Sequence, residues 1–145
     1  MNDPKYIRIL SEDDHDIPKL TQIHKLPDIS RFLSIGDSYF HYVTNTENVY
    51  FYKIHKDNTL IGSVHLEKNG GVLYMDILIF PEFQHKGFGT KIIEDIKNDV
   101  FDLGYEKIEI SVDEKNYASI KLFENAGFSF VSKEDELINY IYKKQ

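Results

Sequence analysis

One stretch restricts this chain more than any other: Asp76-Ile77-Leu78-Ile79-Phe80-Pro81-Glu82-Phe83-Gln84-His85-Lys86-Gly87-Phe88-Gly89-Thr90-Lys91-Ile92-Ile93. An apolar strand runs into a proline, a polar and basic loop with two glycines follows, and a helix begins. Backbone N–H groups then converge at a helix N-terminus, which is a ready anion site. A side chain in place of Gly87 or Gly89 would hold an anion away from the backbone or forbid the turn.

The rest of the chain supplies elements on either side. Lys5 to Leu10 alternates and reads as a strand. Ser11-Glu12-Asp13-Asp14 reads as a helix start, with Ile17, Leu20, Ile23 and His24 at helical spacing behind it and Pro18 in the first turns. Pro27 breaks that pattern, and Asp28 to Ile35 reads as a second helix ending at Gly36. Asp37 to Asn48 is aromatic and polar and carries no clear period. Val49 to His55 and Leu60 to Glu67 read as strands separated by an Asp57-Asn58 turn. Asn69-Gly70-Gly71 signals a hairpin into a strand from Val72 to Phe80. From Gly87 or Phe88 to Leu103, Ile92, Ile93, Ile96, Val100 and Leu103 make an apolar helical stripe that Gly104 closes. Lys107 to Val112 is a strand, Tyr117 to Asn125 a helix closed by Gly127, and Phe128 to Val131 and Leu137 to Tyr142 are final strands. The order predicts one α/β domain over residues 1–145, with a mixed central sheet of about six to seven strands flanked by about four helices. Val72 to Val112 should form a right-handed crossover between parallel strands.

Composition narrows the function. At 145 residues, 41% hydrophobic and 28% charged, the chain has the make-up of one globular domain. No apolar run approaches the roughly 18 residues that span a membrane. The N-terminus lacks the basic-then-apolar layout of a signal peptide. There is no cysteine, which excludes disulfides, thiolate metal sites and a cysteine nucleophile. These features predict a cytoplasmic protein without membrane or nucleic-acid partners. The formal net charge of −7 fits a cationic small molecule better than a phosphate backbone.

Gln84-His85-Lys86-Gly87-Phe88-Gly89 resembles Gln/Arg-x-x-Gly-x-Gly/Ala, the acetyl-CoA pyrophosphate loop of the GNAT superfamily of N-acetyltransferases. Ile79-Phe80-Pro81-Glu82 resembles that family's Val-x-Pro-Glu lead-in, and Asn116 to Phe128 resembles its Asn-x-x-(Ala/Ser) … Gly-Phe segment. The resemblance implies acetyl-CoA as co-substrate without a metal. It also implies a backbone track at Ile77, Leu78 and Ile79 for the pantetheine arm. The N–H groups from His85 to Thr90, in the loop of Gln84, His85, Lys86, Gly87, Phe88, Gly89 and Thr90, would bind the pyrophosphate. Asn116 would bond near the thioester. The acceptor would be an amine of a small molecule or protein, and a homodimer is left open.

The amine must be neutral to attack, so something must take its proton. Asp76, three residues before Ile79, is the candidate base, because Met75-Asp76-Ile77-Leu78-Ile79 resembles the Glu-Asp-Ile-x-Val of polyamine-acetylating relatives. His65, Glu67 and Glu109 read as charges on the polar faces of strands. His41 and the aromatic residues from Tyr39 to Tyr52 read as core or as acceptor pocket. The chain departs from the family pattern at Phe123, where many members carry a proton-donating tyrosine; Tyr117 lies in the same segment and Tyr140 on a final strand, and the sequence brings neither hydroxyl to the sulfur. That departure keeps a second expectation open, a non-catalytic acyl-CoA-binding module. A nucleotide-triphosphate site is disfavoured, since Gly-x-x-x-x-Gly-Lys-Ser/Thr is missing.

Overall fold

The computed structural model describes residues 3–145; Met1 and Asn2 of the expected domain lie outside the described residues. Seven strands form one sheet: β1 (Lys5–Arg8), β2 (Val49–Lys56), β3 (Thr59–Asn69), β4 (Val72–Ile79), β5 (Lys107–Asp113), β6 (Ser129–Glu134) and β7 (Leu137–Lys143). Their spatial order is β1-β2-β3-β4-β5-β7-β6, and every neighbouring pair is antiparallel except β4 with β5. Five helices accompany them: α1 (Ile17–His24), α2 (Pro27–Ser30), α3 (Tyr39–Asn45), α4 (Phe88–Lys97) and α5 (Tyr117–Asn125). Among the described residues no helix is long and apolar enough to cross a membrane.

Alternation along the strands divides the apolar residues between two layers. On one face, Ile92, Ile93 and Ile96 of α4 and Phe123 of α5 pack with Leu73 and Met75 of β4. On the other, Leu20 and Ile23 of α1 and Phe40 of α3 pack with Phe51, Leu78 and Phe80. Asp76 alternates in step with Leu78 and so belongs to the face covered by α1, α2 and α3.

Three helix boundaries differ from expectation. The first helix begins at Ile17, not at Ser11, because the intervening acids serve another purpose. Lys53 is buried on β2 (4% exposed), and its Nζ donates to Asp14 Oδ1 at 3.1 Å and Asp16 Oδ2 at 2.8 Å. A buried ammonium needs such partners. Asp14 also accepts the Asp16 N–H at 2.9 Å, which locks a turn in place of a helix. The second helix stops at Ser30, with the Leu33 carbonyl met by His24 Nδ1 at 3.4 Å, a bond back to α1. The long helix stops at Lys97. Asp99 is left-handed (φ 55°), its N–H bonds Ile96 O at 3.0 Å, and Val100 N–H bonds Asp95 O at 3.0 Å. That double bond closes the helix, and Asp99 takes the closing role expected of Gly104. Val100 therefore lies outside the core. The segment without a clear period, Asp37 to Asn48, contains α3.

β3 carries a bulge opposite Ile54 and His55, since Ile54 pairs with Gly62 while His55 pairs with Leu60. There β3 presses close to β4: a Cβ on Gly62 would collide with the Leu78 carbonyl oxygen. Gly62→Ala is expected to lower unfolding free energy by about 3 kcal/mol. Gly36→Ala, with nothing within 4 Å of the added carbon, should change it by less than about 0.5 kcal/mol. Urea unfolding of the two variants checks this, and equal stabilities refute the close approach.

Candidate functional site

The site begins where the sheet comes apart. β4 and β5 pair only at Val72–Lys107, Leu73–Ile108 and Tyr74–Glu109. From Met75 onward β4 has no partner on that side, although β3 stays paired along its other edge to Ile79. The Phe80 N–H donates to Ile61 O at 2.8 Å across β3. Alternation then turns the main-chain groups of Leu78 and Asp76 towards β3 and those of Ile77 and Ile79 into the gap. So of the three residues expected to track a pantetheine arm, Ile77 and Ile79 present free backbone, while Leu78 is committed to the sheet. Gln84 Nε2 donates to Ile79 O at 3.0 Å, which leaves the Ile79 N–H as that residue's open group.

The gap leads to the start of α4. A short 3-10 turn, Pro81–Phe83, carries the chain out of β4. His85 (φ 61°) and Gly87 (φ 89°) then take left-handed conformations, which fold the loop back on itself. Gly87 occupies the N-cap position and no side chain caps the helix. A Ser or Asp cap would contribute only about 0.3 kcal/mol over glycine. Without it, the N–H groups of Phe88, Gly89 and Thr90 have no intrahelical acceptor. Lys91 N–H is the first to bond back, to Gly87 O at 3.2 Å. The Phe88 ring is buried, so only its backbone faces the loop. Gly89 has a packing role as well: a Cβ there would stand 3.0 Å from Leu122 Cδ2 of α5.

These elements border one cleft of about 470 Å³. Of the expected site residues, Asp76, Ile77, Leu78, Ile79, Gln84, His85, Gly87, Phe88, Gly89, Thr90 and Asn116 line it; Lys86 is exposed and does not. Asn116 accepts the Ser119 N–H through Oδ1 at 3.3 Å, so it caps α5. Its Nδ2 has no protein partner among the described residues, which leaves a donor at the cleft wall. The residues fit a diphosphate-bearing thioester with an extended amide arm: free amides at the helix start, an open strand edge beside them, and a donor opposite.

At the far end of the cleft stand Asp28, Ile29, Phe32 and Leu33, on α2 and just after it. No motif marks them in the sequence; tertiary packing alone brings them there. Asp76 faces this end. Asp76 keeps an exposed surface, yet the protein packed around its carboxyl desolvates it enough to push it above the ordinary carboxylate range. His65 and His24 pull it down and Glu67 pushes it up, by smaller amounts.

His65, the cross-strand partner of Asp76, is not a solvated surface histidine. It bonds Tyr39 Oη through Nδ1 at 2.6 Å and Glu67 Oε1 through Nε2 at 2.8 Å. His41 lies outside the cleft, at 3.1 Å from Glu12, and Phe40 and Phe51 are core. Phe123 lines the cleft and is also core, stacked edge-on against Phe128. Tyr117 is 74% exposed, and Tyr140 is buried with its hydroxyl on Glu124 Oε2 at 3.0 Å. Neither phenol reaches the cleft lining.

Residues 16–128 match the model of the acetyltransferase (GNAT) family. No curated protein matches the chain. Among solved structures, the chain is similar to a domain from Methanocaldococcus jannaschii at 25% identity and TM-score 0.79, covering 97% of this chain and 99% of that one. It is similar to the Campylobacter jejuni N-acetyltransferase PseH in complex with acetyl coenzyme A at 12% identity and TM-score 0.79, over 98% and 99% of the two chains. A spermidine N-acetyltransferase from Vibrio cholerae in complex with CoA and spermine gives 16% identity and TM-score 0.81, over 97% and 95%.

The raised carboxyl at Asp76 has a consequence for stability. A carboxyl that binds its proton more tightly in the folded than in the unfolded chain opposes folding once both are ionised. At pH 7 Asp76→Asn should therefore raise the melting temperature. The difference should fade as pH falls through the raised value towards the ordinary aspartate range, where both states hold the proton. Thermal melts across pH check this; a variant less stable at pH 7 contradicts the desolvation.

Proposed function

The chain belongs to the GNAT acetyltransferase family, and on that premise we propose that it is an N-acetyltransferase that moves the acetyl group of acetyl-CoA to a primary amine by direct attack. One observation carries the reading: a single cleft joins the uncapped start of α4, the open edge of β4 and a desolvated carboxylate. An anion site and a base bordering one cleft suit a two-substrate transfer.

Acetyl-CoA supplies an activated acyl group on a thiol leaving group. The protein's part is to hold and orient. The amides of Phe88, Gly89 and Thr90 and the folded loop from His85 hold the diphosphate. The Ile77 and Ile79 backbone pairs with the amide-bearing arm as an added strand would. The Ile79 N–H is a donor for negative charge developing on the acyl oxygen. Asp76 receives the proton of the incoming ammonium, and its raised proton affinity suits that role better than an ordinary aspartate would. With Asp28 at the same end and a formal net charge of −7, the acceptor is a cationic amine. We place the reaction in the cytoplasm, where acetyl-CoA is available.

Phe123 favours a second reading, an acyl-CoA-binding module without turnover, because no phenol lines the cleft to protonate the leaving thiolate. Acetyl-CoA thiol release across a panel of small amines and peptides separates the two. Stimulated release supports the enzyme; tight binding without stimulation supports the module.

Two substitutions test the assignment. Gly89→Glu places a carboxylate against the diphosphate site, and Leu122 can shift to admit the side chain. We expect the fold to persist by circular dichroism and acetyl-CoA binding by calorimetry to fall by about 100-fold or more, on the order of two tenfold steps of 1.4 kcal/mol. Unchanged affinity refutes the pyrophosphate site. Asp76→Asn should lower kcat by about 100-fold, the low end for losing a general base, with little change in acetyl-CoA affinity; equal turnover removes Asp76 from the reaction.

A further inference from the structure

Beside Asp76, whose side chain borders the cleft, begins a file of hydrogen-bonded side chains that ends at a second surface depression. Tyr39 Oη meets His65 Nδ1 at 2.6 Å, His65 Nε2 meets Glu67 Oε1 at 2.8 Å, and Tyr42 Oη donates to Glu67 Oε1 at 2.8 Å. One end lies beside Asp76, whose cross-strand partner is His65. The other end opens at Glu67, which with Tyr42 and Tyr74 borders a hollow of about 390 Å³ that shares no residue with the cleft. The middle is largely enclosed: the His65 side chain is 12% exposed, packed against Phe51 and Tyr39.

We propose that Tyr39, His65 and Glu67 form a proton conduit from Asp76 to the solvent at the Glu67 hollow. This rests on the acetyltransfer reading, in which each turnover leaves one proton at Asp76 while the bound substrates obstruct the cleft. The hydrogen bonds fix the direction. An ionised Glu67 only accepts, so His65 holds its proton on Nε2 and accepts the Tyr39 hydroxyl at Nδ1. The amine N–H bond breaks as the Asp76 O–H bond forms. Asp76 then gives that proton to Tyr39 Oη, directly or across one water, as Tyr39 gives its own to His65 Nδ1 and His65 gives the Nε2 proton to Glu67. The net result is one proton moved from nitrogen to the Glu67 carboxylate, with no change of oxidation state. Burial, and then the charges of Asp76, Glu67 and Tyr42, resist ionisation of Tyr39, so it releases a proton only as it receives one.

The other titratable groups facing this file are His24 of α1, Tyr42 of α3 and Tyr74 of β4. Burial holds His24 towards its neutral form, its Nε2 has no partner, and it stands outside the bonded file. The three conduit residues act through Asp76 and are positioning residues.

The test uses Tyr39→Phe and Glu67→Gln in the full chain, with an amine that the wild type acetylates. We expect kcat to fall about tenfold in each, a fraction of the 10²–10⁴ that general base catalysis supplies. The amine KM and acetyl-CoA Kd should stay within about twofold. Added imidazole, as a mobile proton carrier, should restore turnover in both. Wild-type kcat in both variants, or a loss that imidazole leaves untouched, overturns the conduit. Nitrogen-15 spectra of the wild-type histidines provide a reading independent of activity: His65 protonated on Nδ1 at pH 8 also overturns it. If the wild type releases no thiol with any amine, the acetyltransfer reading fails and the conduit with it. If the wild type turns over, Asp76→Asn is slow and Glu67→Gln is normal, the conduit alone fails.

Discussion

The parting of β4 from β5 is the constraint on which the site depends. Two parallel strands that begin paired would gain about 1 kcal/mol for each further ladder bond. Here they separate after three residues, and β4 keeps its shape only because β3 holds its other edge through to Ile79. The bulge at Ile61 and the absence of a side chain at Gly62 let β3 press against β4 at Leu78 and Ile79, within the stretch that β5 has left. An open strand edge inside a fold is a demand for a partner. Gln84 answers part of it at the Ile79 carbonyl; the remaining groups of Ile77 and Ile79 are available to something extended that carries amides.

The start of α4 follows the same logic at a second place. A helix of this length would gain from a capping side chain, yet its N-cap is a left-handed glycine. Ahead of it, His85 also holds a left-handed backbone, which for a non-glycine costs on the order of 1 kcal/mol. Both features lower stability locally and leave three amides and a concave loop directed at one point. Strand edge and helix start adjoin because only a 3-10 turn and the loop separate them. One continuous ligand thus meets both, whereas a small anion would use only the second.

How much of this was legible in the sequence depends on whether a feature is local. The loop from Gln84 to Thr90 and the hairpin at Asn69-Gly70-Gly71 are set by residues within a turn or two, and each stands between the elements its pattern predicts. Helix ends were read poorly where a distant partner overrode a local signal. The acids after Ser11 suit a helix start in isolation, but the buried Lys53 on β2 recruits two of them. Asp99 outcompetes Gly104 as the helix stop because its carboxylate also accepts the Leu103 and Gly104 N–H groups, at 2.9 and 3.0 Å. The acceptor end of the cleft is the least legible part. Asp28, Phe32 and Leu33 come from a segment whose helical pattern is legible but says nothing of what it faces, and only tertiary packing brings it to the cleft that Asp76 also lines.

The layer that covers Asp76 shows how His65 differs from its first reading as a strand-face charge. Around it are Phe40, Phe51 and Tyr39, and an apolar residue at position 65 would pack there without needing any partner. A largely enclosed imidazole is stabilised by bonding both nitrogens, since each unsatisfied group costs about 1–3 kcal/mol; His24, whose Nε2 has no partner, bears that cost. Satisfying both recruits Tyr39 and Glu67, and Glu67 in turn takes the Tyr42 hydroxyl. A network of this kind adds little stability over an apolar core of equal volume. What it adds is a fixed orientation for each polar atom and a bonded path from Tyr39 to Glu67 through a largely enclosed layer. A carboxylate beside such a path has somewhere to send a proton without opening the cleft, which ties the polar file to the chemistry proposed for Asp76 on β4.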